Sequence, residues 1–302
     1  MVPNMNTNNS INTTDVSPQS EELLAKLSNI GEPLNNQVKI YTGVNPGRVK
    51  AFVIDNEKYQ DLIQQDPDSK NLFIPYVYSP RKKRWKIESA YILWITSSKH
   101  KQWHWSNQDD ESIAEELFAT TYPAIRQHLF QFKDKLKSRI KGSKGKFYWE
   151  VAMWEPKPEN YPHIYQPKII YPLNGNAIRA TYDTSNGYIL GTYYHIPTED
   201  LSLLAILNSS LMGWYAKQKF RKYENNPNLI FTKENIGSIP IICQSDKELT
   251  EHSELIDITN KILIDPENPN VQILENSINE IIYKLYDLTP AEINLIEEET
   301  SK

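Results

Sequence analysis

The chain has little of what most enzymes display. It holds one cysteine, Cys243, among 302 residues. One thiol makes neither an internal disulfide nor a zinc finger, and it fits a reducing compartment. None of its ten glycines stands in a Gly-x-Gly pattern, so a dinucleotide or cofactor fingerprint of that type is missing. "GSKGK" at Gly142–Lys146 resembles the end of a phosphate loop, but Ile140 stands where the first Gly belongs and Phe147 where Ser or Thr belongs. No Ser, Cys or His lies in a nucleophile motif. His100 and His104 have metal-ligand spacing, yet no Glu follows the first, and Trp103 and Trp105 point to an aromatic strand or turn. Asp55 with Asp68-Ser69-Lys70, and Glu155-Pro156-Lys157, mimic an acidic nuclease site only at the level chance supplies. No apolar run reaches membrane-span length. The N-terminal twenty residues lack the charged and apolar regions of a secretory signal. These absences predict a soluble, cytoplasmic protein and give no support to catalysis by this chain.

What is present is globular in composition, with 39% hydrophobic and 24% charged residues. The length suits one large domain and a smaller one. The net charge of −5 conceals a division. Residues 246–302 hold fourteen acids and four lysines, whereas residues 70–150 hold sixteen Lys or Arg against eight acids. A basic face on a chain with an acidic end predicts an anionic partner at that face.

Residues 1–19, rich in Asn, Ser and Thr, read as a disordered tail. "EELLAKLSNIGEPL" reads as a short helix stopped by Gly31. Val38–Tyr41 and Ala51–Ile54 read as strands joined through Gly43, Pro46 and Gly47. Asp55 suits the cap of a helix over Glu57–Gln65 that Pro67 ends. "WKIESAYILWIT" has strand composition. Tyr122–Ile140 reads as one helix, with Pro123 in its first turn and Ile125, Leu129, Phe132, Leu136 and Ile140 as a core stripe. Strands are expected at Phe147–Val151, Lys168–Tyr171, Ala177–Tyr182 and Gly191–Ile196. "LSLLAILNSSLMGWYAKQKF" reads as one helix started by Thr198, followed by helices at Lys247–Leu263, Val271–Tyr286 and Pro290–Glu298. The expected class is α+β: a mixed-sheet recognition domain over 20–200 and a helical C-terminal part over 201–302.

The chemistry-bearing feature is "FKDKLKSRIKGSKGKFYWE". From Lys133 to Lys146 it carries seven cations and one acid, Asp134. A charge run is ordinarily a solvated helix face. Here "RKKRWK" at Arg81–Lys86 supplies a second cluster, and the two clusters mixed with Trp85, Tyr148 and Trp149 suit a nucleic-acid surface. The candidate DNA-binding residues are Arg81, Lys82, Lys83, Arg84, Lys137, Arg139, Lys141, Lys144 and Lys146. Phe147–Trp149 are expected to anchor the loop in the core.

Several ordered pieces resemble one family. In "YTGVNPGRVKAFVID", Thr42, Gly43, Gly47, Ala51, Phe52, Ile54 and Asp55 match a T-G-x-x-x-G-x-x-x-A-F-x-I-D pattern, with Val49 where Asn is usual. "IPYVYSPRKKRW" follows, with Ser79-Pro80-Arg81 in place of Arg-Gly-Arg. "YPAIRQHLFQFKDKLKSR", "QPKIIYP", "LLAILNSSL", "IGSIPI" and "INEIIYKLYDLTPAEINLIEE" then come in the family's order. This set resembles the TaqI-like C-terminal specificity domain of adenine-N6 DNA methyltransferases and type IIG restriction–modification enzymes. The resemblance runs from about Leu23 to Glu298. It implies a module that recognises double-stranded DNA beside a methyltransferase or restriction catalytic part. S-adenosylmethionine would belong to that partner, and this chain would hold no cofactor of its own. The family's Asn-Pro-Pro-Tyr is absent. Three alternatives stay open: an inert C-terminal fragment of a split methyltransferase, a type I restriction specificity subunit, and a structural protein with a solvated basic helix.

Overall fold

The computed structural model describes residues 16–78, 84–99, 101–140, 145–151, 161–220, 222–223, 226–242 and 249–300. Its contacts divide the chain into two units, one of residues 41–171 with 181–199, the other of residues 1–40, 172–180 and 200–302. The class is α+β, with small antiparallel sheets and a helical C-terminal part. Among the described residues no helix is long and apolar enough to cross a membrane.

In the unit of residues 41–171 and 181–199, the Tyr41–Asp55 segment explains its own sequence. Gly43 lies where a Cβ would come within 2.2 Å of the Ile189 carbonyl oxygen, so only glycine fits. Gly47 has φ 93°, and its N–H donates to Asn45 Oδ1 at 2.8 Å in a tight turn. Ala51, Phe52 and Ile54 are buried, and Asp55 accepts from Lys58 N to cap the helix Asn56–Gln65. The expected strand over Ala51–Ile54 shortens to Val53–Ile54, because Ala51 and Phe52 donate back to the Arg48 carbonyl in a helical turn. Of the other strand expected there, Val38–Tyr41, only Tyr41 lies in a strand, Tyr41–Thr42.

Val53–Ile54 pairs antiparallel with Glu88–Leu93, which pairs along its length with Phe73–Tyr78. A four-stranded sheet follows the order Tyr41–Thr42, Tyr193–Pro197, Lys168–Pro172, Thr181–Asp183. Helices Glu111–Thr121, Pro123–Phe130 and Lys133–Ile140 close the core. The single helix expected over Tyr122–Ile140 is therefore broken. Phe132 N donates to Leu129 O, an i to i−3 bond that tightens the path, so the stripe is shared: Ile125 and Leu129 are buried before the break and Leu136 after it.

In the other unit, the helix Pro18–Ile30 is capped by Ser17 and ended at Gly31. All eight residues of Leu201–Asn208 are buried, as expected of a helix apolar all round. Asp200, not Thr198, caps it, accepting from Ser202 N and Leu203 N. The long helix expected there breaks at Ser209, whose extended backbone (φ −69°, ψ 159°) caps the next helix, Ser210–Lys219. Asn208 clasps Ala180, accepting from its N–H at 2.9 Å and donating to its carbonyl at 3.0 Å. The acidic end forms helices Leu249–Ile264, Val271–Leu285 and Pro290–Thr300, which pack on the two preceding helices.

Candidate nucleic-acid interface

Two carboxylates organise the basic region. Glu150 is fully buried. Its Oε1 accepts from the Ser98 hydroxyl and, at 3.1 Å, from Trp105 Nε1; its Oε2 accepts from Lys146 N at 2.8 Å and Phe147 N at 3.3 Å. The Phe147 amide, which a strand at Phe147–Val151 would have offered to a neighbour, is taken by that carboxylate instead. The segment is accordingly a turn, and only Val151 makes a bridge, to Thr96. Phe147, Tyr148 and Trp149 are buried as anchors, with Trp149 stacked between Phe118 and Phe147.

Glu115 is the second. It accepts from Arg126 at 3.0 Å, from Lys133, and from the Tyr148 hydroxyl at 3.0 Å. Burial works to raise its pKa; the hydrogen bonds from Lys133, Tyr148 and Arg126 outweigh that and hold the carboxyl below its usual range. The Tyr148 phenol is pushed up, by burial and then by the Glu115 charge beside it.

The predicted cations divide accordingly. Lys137 forms an ion pair with Glu111 at 2.6 Å, and that hydrogen bond holds its ammonium above the usual range. Lys146 is half-buried. Its Nζ donates to the Ser106 carbonyl at 3.0 Å and stands 3.5 Å from Asp109. Arg84 is half-buried and engaged within the chain. Arg81, Lys82, Lys83, Lys141 and Lys144, the Arg139 side chain and His100 lie outside the described residues.

Both basic clusters have buried aromatic anchors. The first lies between the paired residues Tyr78 and Glu88. Within it stands Trp85, 3% exposed, with φ 69° and its carbonyl accepting from Thr181 Oγ1 at 2.7 Å. A bulky residue in the left-handed region costs about 1 to 3 kcal/mol, which burial and the Thr181 bond offset.

Sequence reasoning took the His100–Trp105 stretch as an aromatic strand or turn and left its neighbours Lys99 and Lys101 off the DNA-binding candidates. Lys101 N donates to Ser97 O, Trp103 N to Ser106 Oγ at 2.7 Å, and Trp103 Nε1 to Thr96 O at 2.7 Å. Trp103 stacks on the fully buried Trp105 at 5.1 Å between ring centroids. The expected aromatic turn is what forms. Lys99, Lys101, Gln102 and His104 are its exposed residues. The available signal was the alternation of polar residues with Trp103 and Trp105.

A separate cluster is internal to the fold. His163 Nδ1 and His195 Nε2 lie 2.8 Å apart, and Tyr41 stacks on His163 at 3.9 Å. Burial, then the neighbouring His163 and Lys168, lower the His195 pKa to about 3. Lys168 and Asp183, opposite each other across two strands, form a buried ion pair at 2.6 Å. The strand pairing makes this cluster structural. Among the described residues no group of three or more His, Cys, Asp or Glu could hold a metal ion.

The small antiparallel sheets and their helices bury Trp85, Phe147, Tyr148 and Trp149 beside the two basic clusters, the arrangement of a recognition module. The chain belongs to the TaqI-like C-terminal specificity domain family, whose model matches residues 38–241. It is 25% identical over 264 residues to the Type II methyltransferase M.MjaIV of Methanocaldococcus jannaschii, covering 82% of this chain and 79% of that protein. It is similar in fold to the type IIL restriction-modification enzyme MmeI in complex with DNA, with TM-score 0.54 and 13% identity over 87% of this chain. The match spans 35% of that enzyme's length. The type IIG restriction endonuclease BpuSI aligns over 88% of this chain and 32% of its own, with 11% identity and TM-score 0.44.

Proposed function

We propose that the chain is the DNA target-recognition module of a restriction–modification system. It binds duplex DNA, while S-adenosylmethionine and the adenine-N6 methylation or cleavage chemistry belong to a catalytic part outside these residues. The observation that carries the reading is the family match across residues 38–241. The anchored basic segments supply the rest. Lys and Arg meet phosphates and set affinity, while polar side chains on the same loops read base edges. Fluorescence anisotropy with a labelled duplex in a salt series tests it. The expected outcome is affinity that falls linearly on a log–log plot; absence of binding at low salt contradicts it.

A second reading has its own support, since the chain aligns with 79% of a protein named a methyltransferase. In that reading this chain transfers the methyl group itself. Transfer of labelled methyl from S-adenosylmethionine to DNA by the isolated chain would favour it over the first.

A further inference from the structure

We propose that the exposed Lys99 and Lys101, beside Trp103, contact DNA phosphates on the recognition face, braced by Glu150 against Lys146 and Phe147 at the end of the basic run. The inference rests on the target-recognition reading and names a contact surface within it.

Continuity with the basic run comes first. Glu150 holds Ser98 and Trp105 through one carboxylate oxygen and the Lys146 and Phe147 amides through the other. Lys146 Nζ reaches the Ser106 carbonyl at 3.0 Å, and Val151 N donates to Ile95 O at 2.7 Å. The turn and the end of the basic run are therefore one braced surface.

Charge comes second. The three acids that follow the turn are already engaged: Asp109 faces Lys146, Asp110 Oδ1 accepts from Ser112 N at the start of the helix Glu111–Thr121, and Glu111 holds Lys137. Among the described residues neither Lys99 nor Lys101 has a carboxylate partner. Both are exposed. Cations on a protein surface without a carboxylate partner are those that displace counterions from DNA most directly.

Rigidity comes third. Lys101 Nζ lies 4.2 Å over the Trp103 ring while remaining exposed, which restrains the side chain without neutralising it. Trp103 is itself bonded to Thr96 and Ser106 and stacked on Trp105. A loop already ordered before contact loses less entropy on binding.

The test measures anisotropy of a fluorescein-labelled duplex with the full chain across a KCl series. It compares the wild type, Lys99→Gln with Lys101→Gln, and Lys99→Arg with Lys101→Arg. Thermal melting of each confirms folding, which exposed substitutions leave in place. The Gln pair is expected to reduce the salt slope by about 2 and weaken binding at low salt, and the Arg pair to retain both. A Gln pair with the wild-type slope overturns the inference and leaves the target-recognition reading standing. A wild-type chain with no salt-dependent binding overturns that reading, and this inference with it.

Discussion

The Lys133–Ile140 helix and the turn that carries Lys99 and Lys101 differ in what happens to their charge. The helix is the more basic in sequence, yet two of its cations are held, Lys133 by Glu115 and Lys137 by Glu111, while Lys135 is exposed. The turn has two lysines that belong to no basic run, and no described carboxylate pairs with either. Charge in a sequence is therefore not charge available to a partner. A cation already paired must lose its carboxylate before it meets a phosphate, and the exchange gains little.

The largest expected effect comes from removing the brace that joins the two regions. Glu150→Ala leaves four donors in a fully buried site without their acceptor. It should cost about 3 kcal/mol in urea unfolding and weaken DNA binding together with it. A variant of wild-type stability would show that the turn and the basic run are held independently.

Next comes Glu115→Gln. Its folded pKa lies below its ordinary value of 4.5, so its contribution is present above that pH and lost as pH falls through the folded value. The variant should lose roughly 1 kcal/mol at neutral pH, a figure reduced because Arg126 and Lys133 are partly exposed. Its stability should then fall less than the wild type's in an acid titration below pH 4.5. A parallel decline in both proteins would remove Glu115 from the acid response.

The smallest effect belongs to Lys137→Gln. The pair with Glu111 is exposed, 45% at Lys137 and 38% at Glu111, so stability should change by less than about 0.5 kcal/mol. The DNA salt slope should change by less than about 1, the value for one lost phosphate contact. A drop of a full unit would place Lys137 at the DNA despite its partner.

How much was legible in the sequence follows the range of the interactions. The Tyr41–Asp55 motif could be read because its constraints are local: Gly47 turns the chain, Asp55 caps a helix three residues on, and Ala51 and Phe52 are apolar and buried. Gly43 answers to Ile189, far along the chain, but its identity alone signals a close approach. The α+β class and the three C-terminal helices were legible from periodicity. The breaks at Phe132 and Ser209 were not, since neither carries Pro or Gly and the stripe continues across both. Glu115 and Glu150 were the least visible. Each is a single acid whose partners come from distant segments, such as Tyr148 for one and Ser98 for the other. The aromatics Phe147–Trp149 were rightly expected in the core, but the carboxylate that turns them out of a strand was not.

The most direct measurement compares two variants that remove the same charge: Lys99→Gln with Lys101→Gln, and Lys133→Gln with Lys137→Gln, each titrated with the same duplex across one salt series. The account predicts a slope reduced by about 2 for the turn and by less than about 1 for the helix. Equal reductions, or a larger one for the helix, would contradict the claim that internal pairing decides which cations DNA meets.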